Sequence, residues 1–126
     1  MHVESELAAR VAIALVAAAH VWFLVLEMFL WATPFGQRTF GRSRVEQEAS
    51  KILAANQGLY NGFLAAGLLW SIAAGDGASA FSLRAFFLGC VIVAGTYGGA
   101  TASRRIFVLQ ALPGAIGLAL AFLARR

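Results

Sequence analysis

Long apolar stretches separated by short polar segments run through the whole chain. Each stretch has the roughly 20 mostly apolar residues that a helix needs to cross the hydrocarbon core of a bilayer. The four stretches lie at about 7–31, 52–74, 83–102 and 106–123. This pattern predicts an all-α protein, an integral membrane four-helix bundle in which residues 1–126 form a single four-transmembrane-helix domain.

The second helix is predicted to begin before its apolar stretch does. Ser43 and Glu46 have the spacing of a capping box, in which each side chain bonds a backbone amide at the helix start, so we expect a helix over about 44–74. At 1.5 Å per residue this helix would be about 45 Å long. It is therefore an extended helix whose first turns project beyond the hydrocarbon core. Thr33-Pro34-Phe35-Gly36 is expected to end the first helix, since proline removes a backbone donor.

Composition agrees with this assignment. Hydrophobic residues make up 60% of the chain and charged residues 13%, against about 25% charged residues in soluble domains. The net charge of +4 comes from arginines near the predicted helix ends, so we expect the lipid bilayer as a partner and no nucleic acid. Cys90 is the one cysteine, which excludes an intrachain disulfide and a cluster of thiolate metal ligands.

The basic residues also predict an orientation. Six lie in the first and third connections, Arg38, Arg42, Arg44, Lys51, Arg104 and Arg105, against four on the other side, Arg10, Arg84, Arg125 and Arg126. Because cytoplasmic loops carry an excess of lysine and arginine, we expect a multi-pass protein of the cell membrane. Its first and third loops would be cytoplasmic and both termini outside.

Two ionisable residues, His20 and Glu27, stand inside the first apolar stretch. They are seven residues apart, so they share one helix face and are separated by roughly 10.5 Å along its axis. A charged residue at mid-span costs about 2.5–3.5 kcal/mol on insertion scales, and ionisable residues inside membranes are functional candidates by default. His20 and Glu27 are therefore the candidate catalytic residues, as a carboxyl and an imidazole supply acid–base chemistry.

Other polar side chains occur at corresponding depths in the remaining predicted helices. We expect the polar side chains of the second helix to share one face of that helix, and the polar side chains of the third helix to do the same. All of these side chains are expected to lie in the half of the bilayer nearest the first and third loops. They would contribute ligand-binding groups to one intramembrane pocket; ordinary interhelical hydrogen bonds, worth about 0.6 kcal/mol each, are the structural alternative. These residues are Asn56, Gln57, Tyr60, Asn61, Tyr97, Thr101, Arg104 and Gln110.

Small residues at four-residue spacing form two further series, which let helix backbones approach closely in lipid. The series are Gly58, Gly62, Ala66 and Gly95, Gly99, Ser103. Each is expected to lie on a face turned away from the polar residues of its own helix, so that packing and the polar pocket use different faces. The same glycine faces would suit a homodimer.

Four segments of the chain together resemble a known family. They are "LEMFLW", "NQGLYNGFLAAGLLW", "FFLGCVIVAGTYGGAT" and "LQALPG". From about Val11 to Leu120 the chain is similar to a small family of four-helix membrane proteins known as domain of unknown function 1304. The resemblance implies an integral membrane protein with this number of helices, and it implies no catalytic residues.

Two functions are consistent with these residues. The first is a polar intramembrane pocket that binds a small amphiphilic or lipid-like molecule, either without reaction or with acid–base chemistry, such as an isomerisation or epimerisation, carried by Glu27 and His20. The alternative is a small proton-coupled transporter that uses the membrane glutamate Glu27. We expect no metal and no cofactor, since His2 is the only other histidine and zinc sites gather three or four ligands.

Overall fold

A computed structural model describes residues 1–125 of the chain. All regular secondary structure in this part is helical, with no β-strand. Its five helices are α1 (His2–Met28), α2 (Pro34–Phe40), α3 (Arg44–Ala73), α4 (Ala78–Thr101) and α5 (Leu112–Ala124), and a π-helical turn (Phe107–Ala111) directly precedes α5. The all-α prediction is confirmed. The predicted number of helices is wrong, because a short extra helix lies in the first connection.

Three segments within the described residues are long and apolar enough to cross a membrane: α1, α4, and the π turn joined to α5 (Phe107–Ala124). This fits an integral membrane protein. The central part of α3 carries Asn56, Gln57 and Asn61, which lower its hydropathy. The assignment of α3 as a fourth span stays a prediction.

The extra helix α2 arises from the residues that were expected only to end the first helix. α1 ends at Met28, three residues earlier than predicted. The hydroxyl of Thr33 then accepts a hydrogen bond from the Gly36 N–H at 3.3 Å, and Pro34 occupies the first turn. A threonine cap followed by proline begins a helix well, since proline has no N–H to leave unpaired. α2 closes at Gly41, whose φ of +64° is the left-handed conformation that favours glycine.

The predicted start of α3 is confirmed in detail. The Glu46 carboxylate accepts hydrogen bonds from the Ser43 backbone N–H at 2.9 Å and from its hydroxyl at 3.1 Å. In return, the Ser43 hydroxyl accepts a bond from the Glu46 N–H at 3.3 Å. α3 runs to Ala73, one residue short of the prediction, and its 30 residues make it the longest described helix.

The remaining helices differ from prediction at their ends. α4 begins at Ala78, five residues before the predicted start, so that Arg84 lies inside the helix instead of at its end. Residues 107–111 are π-helical instead of α-helical. Pro113 explains this turn, because proline lacks an N–H and its ring clashes with the carbonyl group four residues earlier.

The chain forms two compact units. Unit 1 consists of Met1–Ala17 and the chain from Leu64 onward, and unit 2 is Ala18–Phe63. The apolar core of unit 1 is formed by Ile13, Val16, Ala17, Leu68, Leu88 and Val91. In the same unit, a side chain at Gly95 would begin 2.9 Å from the Ala111 Cα, and one at Gly99 would enter the Phe107 ring. Gly95 and Gly99 are therefore packing positions, as predicted.

Candidate functional site

In unit 2, a buried stripe of α3 packs against the C-terminal part of α1. Gln47, Ala54, Gly58 and Asn61 are buried along this stripe, at heptad-like spacing. A Cβ atom at Gly58 would lie 3.0 Å from the Glu27 Cβ and 3.3 Å from the Leu24 carbonyl oxygen. The absence of a side chain at Gly58 thus allows the two backbones to approach. This corrects the expectation that the glycine face of the second helix is separate from its polar residues, because Gly58 lies directly against Glu27.

The close approach brings the Glu27 carboxyl group onto Asn61. Glu27 is only 6% exposed and Asn61 7%, and the Asn61 Nδ2 donates to the Glu27 Oε1 at 2.6 Å. Gln57, one turn earlier on α3, is exposed. Among the described residues, however, the buried Glu27 Oε2 has no hydrogen-bond donor at bonding distance. A buried oxygen left in this way costs about 1–3 kcal/mol, so its retention needs a reason.

A cleft of about 260 Å³ adjoins Glu27. Its other lining residues come from the end of α1, the turn that follows and the second and third turns of α3: Met28, Phe29, Trp31, Ala32, Thr33, Glu48 and Lys51. The Lys51 Nζ is 2.9 Å from the Glu48 Oε2, and both side chains are about half exposed. The hydrogen bond from Lys51 lowers the pKa of the Glu48 carboxyl below its ordinary value. The two side chains therefore form an ion pair with each other.

Side chains of α2 and α3 hydrogen-bond the turn that forms one wall of this cleft. The Gln47 Nε2 donates to the Trp31 carbonyl oxygen at 2.7 Å, and the Trp31 Nε1 donates to the Ser50 Oγ at 3.1 Å. The Gln37 Nε2 donates to the Ala32 carbonyl oxygen at 3.1 Å. Gln47 was missed by the sequence analysis, although it lies two heptads before Asn61 and therefore on the same helix face.

The other predicted residues of unit 2 have different surroundings. Asn56 and Tyr60 are exposed, and the Tyr60 ring contacts Phe63. Gln57 is exposed as well, so of the four polar residues predicted on α3 only Asn61 is buried against α1. His20 is completely buried and packs edge-on against the Phe23 ring, with 5.2 Å between ring centroids.

Four predicted ligand-binding residues belong to unit 1. Tyr97 is 72% exposed, and Thr101 is exposed with its hydroxyl donating to the Tyr97 carbonyl oxygen at 2.7 Å. Arg104 is exposed and Gln110 is half-buried in the π turn. Their role in a ligand site stays a prediction, as does that of His20, Asn56 and Tyr60.

Unit 1 holds a charged cluster that the sequence analysis did not recognise. The Arg84 guanidinium is almost fully buried, with its Nη1 2.7 Å from the Glu6 Oε1 and its Nη2 donating to the Gly75 carbonyl oxygen at 2.8 Å. Arg10 bonds the same Glu6 oxygen at 3.0 Å and the Asp76 Oδ1 at 2.6 Å. The hydrogen bond from Arg10 is the main cause that lowers the pKa of Asp76. The spacing of Glu6 and Arg10 suggested a pair on one helix face, but nothing local indicated Arg84.

Within residues 1–125, no group of three or more histidine, cysteine, aspartate or glutamate side chains is arranged to hold a metal ion. Two groups of buried charged side chains occur among the described residues, the Glu27 cleft of unit 2 and the Arg84 cluster of unit 1. Of these two, only the first combines a cleft with a buried acceptor that has no donor.

Comparison with known proteins gives a family whose function is unknown. A family model described as "Protein of unknown function (DUF1304)" matches residues 14–122. The chain is similar to the uncharacterized protein YpaA of Lactococcus lactis subsp. lactis (strain IL1403), with 28% identity over 98 residues, which cover 76% of this chain and 81% of that protein. No solved structure matches.

Proposed function

The chain belongs to the DUF1304 family of proteins of unknown function. From the geometry of the Glu27 cleft, we propose that it binds a small amphiphilic molecule in the membrane. The polar group of that molecule would enter the cleft and bond the Glu27 carboxyl group. One observation carries this proposal: Glu27 lines the cleft, and one of its buried oxygens lacks a donor among the described residues.

The size of the cleft limits what can enter it. At about 260 Å³, it is slightly smaller than the roughly 300–1,000 Å³ of typical small-molecule sites. A polar head group fits this volume, and a complete membrane lipid does not. An apolar chain would therefore lie outside the cleft, where the 69% exposed Phe29 side chain offers an apolar surface.

The same carboxyl group could also act on the bound molecule. Glu27 can accept or return a proton, and His20 is the second acid–base candidate on α1. Their axial separation of roughly 10.5 Å suits opposite ends of a substrate better than a single atom. The ligand-binding role of Tyr97, Thr101, Arg104 and Gln110 in unit 1 stays a prediction.

Native mass spectrometry in mild detergent tests the binding function. Wild type would be compared with Glu27→Gln, which keeps the side-chain shape, and with Glu46→Gln, which removes a carboxylate at the exposed start of α3, where glutamine can still cap. We expect a discrete small molecule on wild type and Glu46→Gln that is lost from Glu27→Gln. The same bound molecules on all three proteins, or none on wild type, would overturn the proposal.

A proton-coupled transporter is the second candidate, and it too relies on the single buried carboxyl of α1. A proton and a cationic substrate would compete for Glu27. Purified protein in liposomes with an imposed pH gradient should then move an organic cation, and Glu27→Gln should abolish this flux while Glu46→Gln retains it. A flux that is unchanged in Glu27→Gln would exclude this mechanism.

The membrane topology can be tested separately from the ligand. The proposal is that α3 is a fourth span and that the first loop is cytoplasmic. In a Cys90→Ser background, a membrane-impermeant maleimide applied to intact cells should label Ala74→Cys but not Arg42→Cys. The reverse pattern would invert the orientation, and equal labelling of both positions would show that α3 does not span.

A further inference from the structure

We infer that the cleft beside Glu27 selects an organic ammonium group as the polar part of its ligand. The inference deepens the proposed binding function and rests on it. It is drawn from the charges, the hydrogen-bond donors and the aromatic side chains that line the cleft.

The charge balance of the lining favours a cation. Three lining side chains are ionisable: Glu27, Glu48 and Lys51. Lys51 and Glu48 form an ion pair at 2.9 Å and so neutralise each other. Glu27 is left without a cationic partner among the described lining residues, although its carboxyl group is almost fully buried. An ammonium group would supply both a positive charge and the donor that Oε2 lacks.

The available donors argue against an anionic ligand. The Thr33 hydroxyl donates to the Leu30 carbonyl oxygen at 2.6 Å, and the indole N–H of Trp31 donates to the Ser50 Oγ. Lys51 is engaged by Glu48. A carboxylate or phosphate entering the cleft would have to break one of these bonds and would also approach Glu27. Like charges in a site of low polarity repel each other strongly.

Aromatic side chains provide the second feature of an ammonium site. Trp31 and Phe29 both line the cleft, and the Trp31 ring is held against Phe40, with 4.5 Å between ring centroids. Since its N–H is already bonded, the Trp31 indole offers the cleft mainly its ring surface. Ammonium groups are attracted to such rings, and tryptophan binds them best.

A neutral hydroxyl group can also donate to Glu27, so an ammonium ligand and an alcohol ligand are distinguished by how tightly each binds. The hydrogen bond from a hydroxyl group has one charged partner, the carboxylate, whereas an ammonium group adds the direct attraction between two opposite charges, which is strong in a site of low polarity. A difference of about 1.4 kcal/mol corresponds to a tenfold ratio of dissociation constants. We therefore expect an alkylammonium to bind at least about tenfold more tightly than an alcohol with the same chain.

The test uses three probes with one alkyl chain: hexylammonium, hexanol and hexanoate. Trp31 fluorescence reports binding in the purified full-length protein with Trp22→Phe and Trp70→Phe, which leave it as the single tryptophan. Hexylammonium should bind at least about tenfold more tightly than hexanol, and hexanoate should not compete. In Glu27→Gln this preference should disappear, while Glu46→Gln should keep it.

The outcomes separate the two levels of the proposal. If hexanol binds as tightly as hexylammonium and both depend on Glu27, the ammonium assignment fails and the binding function stands. If hexanoate binds best, the assignment fails too. If no probe depends on Glu27, both fail.

Lys51→Gln provides a second measurement should Glu27→Gln not fold. Its loss frees the Glu48 carboxylate beside the cleft, and hexylammonium affinity should rise by up to about fivefold, the ratio that corresponds to the upper end of the energy of an exposed charge pair. An unchanged or weaker affinity would contradict the charge argument.

Discussion

The Asn61 side-chain amide donates to the Glu27 carboxylate at 2.6 Å, joining α3 to α1 inside unit 2. Gly58, one turn before Asn61, makes this bond possible because a side chain there would meet the Glu27 Cβ at 3.0 Å. The bond and the helix packing therefore depend on each other. This arrangement leaves one carboxylate oxygen bonded and the other buried without a hydrogen-bond donor among the described residues.

Replacing Asn61 by leucine should destabilise the protein. The substitution removes the one donor at bonding distance from Glu27 among the described residues and leaves the carboxyl buried, which costs about 1–3 kcal/mol. The free energy of unfolding in mixed detergent micelles would measure this loss. Asn56→Leu is the matched control, since Asn56 is exposed on the same helix and surface changes are usually within about 0.5 kcal/mol. Equal losses in both variants would show that the Asn61–Glu27 bond does not contribute.

Two glycines of α4 should respond differently to alanine. At Gly95 a Cβ would lie 2.8 Å from the Gln110 Cβ and 2.9 Å from the Ala111 Cα, whereas nothing lies within 4 Å of a Cβ at Gly89. Gly95→Ala forces the backbone of the π turn to move and should cost about 1–3 kcal/mol. Gly89→Ala should be neutral or stabilising by up to about 1 kcal/mol, because alanine favours helix. Thermal unfolding of both variants measures this difference in stability. A Gly95→Ala variant as stable as Gly89→Ala would contradict the prediction that only Gly95 is a close-packing position.

The features of this fold that depend on interactions between residues close in sequence could be predicted from the sequence more reliably than those that depend on distant residues. The capping box at Ser43 and the helical range of α3 depend on local interactions. The capping box was predicted correctly, and α3 ends one residue before its predicted end. The short helix α2 was missed because Pro34 was read only as the end of one helix, and not also as the beginning of the next. Its Thr33 cap was the available indication.

The candidate site was only partly predictable for the same reason. Seven-residue spacing placed His20 and Glu27 on one face, and the polar arc of α3 contained Asn61, but periodicity alone could not decide which stripe of that arc meets α1. The position of Gly58 decides it, because close packing requires a small residue at the contact. The burial of Arg84 depends on Glu6 and Gly75, which are distant in sequence, so no local pattern reveals it.

The buried ion pair of unit 1 should be more important for stability than its exposed neighbour. Glu6→Gln leaves the Arg84 guanidinium, whose side chain is 4% exposed, without its charged partner. Breaking a buried pair in this way costs about 3–5 kcal/mol, and we expect the lower end, since the Glu6 side chain is 15% exposed. Arg10→Gln removes a more exposed contact to the same Glu6 oxygen and should have a much smaller effect. Chemical unfolding of both variants would measure the loss in free energy of unfolding. A larger loss in Arg10→Gln than in Glu6→Gln would contradict the prediction that the buried ion pair contributes more.

The start of α3 should loosen on acidification. Hydrogen bonds from the Ser43 backbone N–H, and then from its hydroxyl, lower the pKa of the Glu46 carboxyl below its ordinary value. A carboxyl whose pKa is lower in the folded state than in the unfolded state stabilises the folded state at every pH above its pKa in the unfolded chain, about 4.3. This contribution is lost as the pH falls through the pKa of the folded state.

Hydrogen exchange at the Ser43 and Glu46 amides, corrected for intrinsic rates, would follow this change. Both amides belong to the capping box, so their protection should be steady from neutral pH down to about 5 and should decrease below the ordinary glutamate pKa, about 4.3. Glu46→Gln retains a neutral acceptor and should show lower protection that does not vary over this range. If wild type and Glu46→Gln lose protection in parallel as the pH falls, another group controls the start of α3.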